Sequence, residues 1–138
     1  VTKQFRESSK ASMLNMTERI LSSNGESLIT ESNEDVEHLL EWHCSTHTRS
    51  GVGLAFDILE KLVHHHHESS LSSTPSSPRI TLRMLPLVIE PCLETVMECK
   101  DARFLVQRAE YMIELFEQVG MAPSVLQYNA VMKMLYCI

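Results

Sequence analysis

Apolar positions recur every three or four residues along most of the chain, and no segment sustains the alternation of a strand. Met13, Leu14, Met16, Ile20 and Leu21 fall on one side of a helix predicted to run from Ala11 to Gly25, after a frayed polar stretch 1–10. Beyond the polar connector "ESLITESNED", Asp35 is suited to cap a second helix with Val36, Leu39, Leu40 and Trp42 inward. "STHTRSGVG" breaks that helix. Leu54, Ile58, Leu59 and Leu62, with Ala55 alongside, then predict a third helix running into His64–His67. "RITLRMLPLVIEPCLETVMEC" is apolar enough to be a buried helix, but Pro86 and Pro91 predict a break near Glu90, with Pro91 opening a new piece. Asp101 is expected to cap a long helix ending at Val119, with Ala109, Met112, Ile113, Phe116 and Val119 on one face. Past Pro123, Tyr128, Val131, Met132 and Leu135 repeat that spacing. The chain is predicted to be all-α.

One segment departs from this pattern. "ESSLSSTPSSP" (68–78) holds a single Leu where an average window would hold about five apolar residues, which predicts an exposed insertion. Two helical segments also look alike: "GLAFDILEKLV" and "RAEYMIELFEQVG" each place large apolar residues after an Ala, from Ala55 to Leu62 and from Ala109 to Phe116. "KASMLNMTERI" is a weaker third. Self-similarity at a period of a few tens of residues points to helical hairpins stacked as an α-solenoid.

The stretch from Arg108 to Leu135 resembles a junction between pentatricopeptide repeats. Ala109, Phe116, Gly120, Pro123 and the Tyr128-Asn129 pair all stand in the family's register. Tetratricopeptide repeats set the Pro nearer to the Ala, so the Ala109 to Pro123 spacing favours the pentatricopeptide pattern. The resemblance divides the chain into a degenerate repeat end (1–35), a repeat with a His/Ser-rich insertion (36–79), a repeat with a lengthened first helix (80–124) and the first helix of a truncated repeat (125–138). It is strong at the end of the chain and loose before it.

What the resemblance implies is a non-enzymatic scaffold for single-stranded RNA, about one base per repeat, serving a mitochondrion or chloroplast. The base-reading positions are the fifth and the last residue of each repeat. That register selects Asn129 in the final repeat, Leu40 and Met84 in the earlier ones, and Arg79 and Ser124 as last residues. An Asn amide offers a donor and an acceptor to a base edge, whereas Leu and Met offer neither. Ser124 has a competing reading as a helix N-cap, and Arg79 as a phosphate contact or a solvated surface residue.

Charge tempers the nucleic-acid expectation. The formal net charge is −6, without the basic stripe that a generic grip on phosphates needs. A helical-repeat scaffold for protein partners is therefore the alternative. The four cysteines (Cys44, Cys92, Cys99, Cys137) lack CxxC spacing and read as reduced thiols. No uncharged apolar run reaches the ~18 residues that would suggest a membrane span. The termini, Val1 and Cys137-Ile138, suggest a piece of a longer protein. His43 and His47 stand one helical turn apart, but a zinc site needs three or four ligands in geometry, and no metal is expected. Nothing resembles a phosphate loop or an activated nucleophile, so no catalysis, cofactor or small-molecule substrate is expected.

Overall fold

A computed structural model of the chain describes residues 2–22, 33–71, 80–99 and 101–137, and among them the only regular structure is helical. The helices are α1 (Thr2–Ser22), α2 (Asn33–Cys44), α3 (Arg49–Leu71), α4 (Met84–Glu98), α5 (Arg103–Gln118) and α6 (Val125–Cys137). The all-α expectation holds. Several boundaries differ from those predicted. Helix α1 takes in residues 2–10, which the polar pattern reads as frayed. Helix α3 runs through the histidine run to Leu71, so the Ser/Pro-rich insertion begins inside a helix. Residues 72–79 lie outside the described residues.

The predicted break at Glu90 does not occur. Helix α4 continues through Pro91, whose carbonyl accepts the Thr95 hydroxyl at 2.8 Å. Pro86 falls in the first turn, where a missing N–H costs nothing. An interior proline costs about 3 kcal/mol. Met84, Leu85, Val88, Ile89, Cys92 and Val96 are all buried, and each full burial is worth about 1.5–3 kcal/mol, so packing outweighs the defect. Asp101 does not cap α5. It sits in the left-handed region at φ 59°, and the N-cap is Ala102, which makes no side-chain cap bond.

Among the described residues, each helix packs only on its neighbours one and two places along the chain. Helices α2, α4 and α6 adjoin in one series, α1, α3 and α5 in another, and successive helices join the two. A core runs through both series from Ile20 to Met134, centred on Phe56, Leu59, Met84, Ile89 and Phe116.

Two hairpins, α2–α3 and α4–α5, follow one backbone course at an offset of 54 residues, the separation of Ala55 from Ala109. Cys44 and Glu98 end the first helices, and Arg49 and Arg103 begin the second. His47 and Asp101 are the two non-glycine residues with positive φ, at 50° and 59°. The Ser45 N–H to Glu41 carbonyl bond matches Cys99 to Thr95, and Val52 to Thr48 matches Val106 to Ala102. The buried face of the second helix carries over too: Val52, Ala55, Ile58, Leu59 and Leu62 in α3 match Val106, Ala109, Met112, Ile113 and Phe116 in α5. Buried Val36, Leu39, Leu40, His43 and Cys44 of α2 instead fall on Glu90, Leu93, Glu94, Met97 and Glu98, none of them buried. The first turn is the better capped, since Thr48 Oγ1 accepts the Gly51 N–H at 3.1 Å. Gly51 is also required there, because a Cβ would stand 2.4 Å from the His43 carbonyl oxygen.

Arg108 ties α5 to α3. Its guanidinium donates to the Gly53 carbonyl at 3.0 Å, to Asp57 at 2.6 Å and to Glu60 at 2.8 Å, and lies 5.5 Å from the centre of the Phe56 ring. Arg108→Ala is expected to lower stability by about 1–2 kcal/mol, allowing for the partial exposure of both carboxylates. Arg108→Lys should recover little of this, because an ammonium cannot keep the planar fork. Urea denaturation of both variants checks the prediction.

Helix α1 is held by a polar link. Thr17 Oγ1 donates to the Met13 carbonyl at 2.9 Å, so its lone pair accepts Nε2–H of His43 at 2.8 Å. That assigns His43 the neutral Nε2–H tautomer. Burial lowers its pKa from the ordinary histidine value. In the unfolded chain His43 takes up a proton as pH falls through about 6.5, while the folded chain resists until a lower pH. Stability contributed by neutral His43 is therefore complete above about pH 6.5 and lost progressively below it. Thermal melts between pH 7.5 and 5 should show a steeper fall for the native chain than for His43→Gln.

Candidate functional site

The junction between α5 and α6 is built almost wholly from local bonds. Gly120 stands at φ 82°, the left-handed position that ends a helix. The Met121 N–H reaches back to the Phe116 carbonyl at 2.9 Å and the Gly120 N–H to Glu117 at 3.1 Å, the two bonds of a Schellman motif. Pro123 is buried. Ser124 precedes α6, and its backbone N–H donates to Gln127 Oε1 at 3.1 Å, the return half of a capping box. Its hydroxyl donates to the same oxygen. Tyr128 O–H donates to Glu117 on α5, which raises the tyrosine pKa and fastens the two helices together. The stop and start signals read in this stretch thus act as expected.

The described residues among those expected to read bases do not share one surface. Asn129 is exposed on α6. Ser124 is exposed, but its hydroxyl is committed to the helix cap. Met84 is fully buried in the core, as is Leu40, and neither can meet a base edge there. Arg79 lies outside the described residues.

The buried faces of α4 and α6 supply another register. Cys92, Thr95 and Val96 on α4 have the spacing of Gln127, Ala130 and Val131 on α6, and all six are buried. Laid on these residues, Glu94 takes the place that Asn129 holds on α6; laid on Leu85, Val88, Ile89 and Cys92, which match Gln127, Ala130, Val131 and Met134, that place falls to Leu87. Counting forward from Ile80 misses Glu94, whereas counting back from Ala109 reaches it. Glu94 is exposed and pairs with His47 Nδ1 at 3.2 Å. A carboxylate can accept a hydrogen bond from an exocyclic amino group, but it repels phosphate.

The surrounding surface is acidic. Helix α2 exposes Glu34, Asp35 and Glu41, and α4 exposes Glu90, Glu94 and Glu98, against Lys133 on α6. The two histidines weighed as a metal pair face different partners: His43 is buried against Thr17, while His47 lies beyond the helix beside Glu94. The inward stripe predicted on α6 is also displaced. Gln127, Ala130, Val131 and Met134 face the core, whereas Tyr128, Met132 and Leu135 are exposed. No helix among the described residues is long and apolar enough to cross a membrane. No family model, curated protein or solved structure matches the chain.

An open cleft of about 1060 Å³ between the α4–α5 turn and the end of α6 is bordered by Cys99 and Cys137. Cys44 and Cys92 lie in the core, where burial pushes both thiols up to about 12, and the proximity of Cys44 adds to the rise at Cys92. Such thiols are almost wholly protonated and slow to react at neutral pH. Iodoacetamide should therefore modify Cys137 first and Cys99 second in the native protein. Cys44 and Cys92 should react only after denaturation, and mass spectrometry at timed quenches checks the order.

Proposed function

We propose that the chain is part of a pentatricopeptide-like helical-repeat scaffold, an α-solenoid that binds single-stranded RNA without catalysing a reaction on it. The observation that carries this reading is the α5–α6 junction. Its Gly120 stop, buried Pro123, capped start and exposed Asn129 follow the register of the repeat that the stretch resembles. Packing limited, among the described residues, to the next and next-but-one helix, and a turn and second helix that recur at a fixed offset, support the stacked arrangement. The resemblance assigns the work to mitochondrial or chloroplast RNA, in its processing, stability, editing or translation.

On this reading Asn129 meets a base with both a donor and an acceptor, while Glu94 limits the neighbouring position to bases that present an amino group. A random single-stranded RNA pool should bind at low salt and be released as salt rises. Asn129→Ala should weaken binding about tenfold, the equivalent of about 1.4 kcal/mol. Glu94→Gln should strengthen it by removing a negative charge. Filter binding with the pool measures both effects. Absence of salt-sensitive binding, or indifference to both substitutions, refutes the proposal.

The acidic surface of α2 and α4 favours a second reading, a scaffold that binds a basic protein segment by the same series of helices. Capture of a polylysine peptide with no RNA binding under the same conditions would select it.

A further inference from the structure

Helix α1 holds to α2 and α3 by an unusually small buried patch. Among its described side chains, Lys10 to Ser22, only Thr17 and Ile20 are buried, with Met13, Met16 and Leu21 partly so. Helices α2, α4 and α5 each bury five or more residues. Local opening costs least where few apolar groups are buried. Of the two buried groups on α1, one is polar, and its place depends on His43.

His43 suits that place in one charge state. It is 4% exposed. Its Nε2–H is spent on Thr17, while Nδ1 has no hydrogen-bond partner among the described residues. A second proton would sit on Nδ1 inside the core, with neither an acceptor nor a counter-ion. The charged groups of the helices around it are turned outward or engaged elsewhere. Glu18 and Arg19 of α1 and Arg49 of α3 are exposed, and Asp57 and Glu60 of α3 hold Arg108. Glu41 of α2 pairs with His38, and Glu94 of α4 with His47. The end of α2 would favour a cation, but its carbonyls from Glu41 to Cys44 already accept donors from Ser45, Thr46 and His47. Burial accordingly lowers the pKa of His43. His38 and His47 differ, since a proton on either meets a carboxylate, at 4.0 and 3.2 Å. Acid therefore strains the α1 joint and spares the contact of the α2–α3 turn with α4.

We propose that α1 is an acid-released flap: protonation of His43 detaches it from α2 and α3 while the later helices stay folded. Docked α1 requires neutral His43. With α1 released, the ring meets water and takes up its proton at the ordinary value of about 6.5. Docking is thus complete above about pH 6.5 and weakens below it, by up to about tenfold per pH unit for one proton. Release uncovers the flank of α2 and α3 on which α1 rests. The device goes beyond RNA binding and does not depend on it.

Hydrogen exchange of the whole chain, read by mass spectrometry at pH 7.5 and 5.5 and scaled for the intrinsic pH dependence of exchange, tests this. Protection of α1 should fall about tenfold between the two pH values, while α4 and α5 keep theirs. His43→Gln retains an N–H for Thr17 but does not titrate, so its α1 protection should be the same at both. Thr17→Val keeps the side-chain shape without the acceptor, and should already lower α1 protection at pH 7.5 with α4 and α5 unaffected. The proposal is overturned if α1 protection in the native chain ignores pH, or if the loss persists in His43→Gln. Loss of protection in α4 and α5 together with α1 also overturns it, because the transition would then be global unfolding. Thr17→Val with native protection in α1 does the same, since the link to His43 would then hold nothing.

Discussion

Arg108 crosses from α5 to α3 with three charged or polar partners and an aromatic ring waiting for it. It is, with Thr17–His43 and Tyr128–Glu117, one of a few directional contacts in a structure joined mainly by apolar burial. Apolar faces slide past one another at little cost, since hydrophobic attraction has no preferred geometry. A planar guanidinium with donors fixed in a fork does not, because a shift of one helical turn would remove every partner at once. Arg108 thus sets the register of one hairpin on the next from the edge of the core, half-buried over the Phe56 ring.

The two turns that begin the second helices show how the same path is reached by different chemistry. The first has a threonine cap, a glycine with no room for a methyl group and a left-handed histidine. The second has an uncapped alanine and a left-handed aspartate. Left-handed Asp and His are tolerated because short polar side chains stabilise that region locally. The backbone course is shared, then, while the means of holding it differ.

Much of this was legible in the residues. Six apolar periodicities became six helices, and Gly120, Pro123 and Ser124 mark the α5–α6 turn because their roles are local and need no tertiary context. The failures all came from context. Pro91 reads as a break until the burial of α4 on two sides is known. Helix α6 carries two apolar stripes, and periodicity cannot say that the smaller one, with Ala130 and Val131, faces inward while Tyr128, Met132 and Leu135 do not. Met84 was selected by counting forward through a length difference. A count that runs back from Ala109 reaches the exposed Glu94 instead, because a length difference in this segment shifts one count and leaves the other untouched. Asp101 has the residue type of a cap, but it stands in a left-handed turn one residue before the N-cap.

The restriction of every helix to neighbours one and two places away has a consequence for how the protein is made. Among the described residues, a helix leaving the ribosome finds its docking partners in the two helices before it and the two that follow. Nothing waits for a distant segment to close a long loop, which is the step that slows folds rich in remote pairings. Such a contact pattern suits vectorial assembly, each helix completing its contacts as the next two emerge. During synthesis each new helix keeps an uncovered apolar flank until the helices that pack on it have been made.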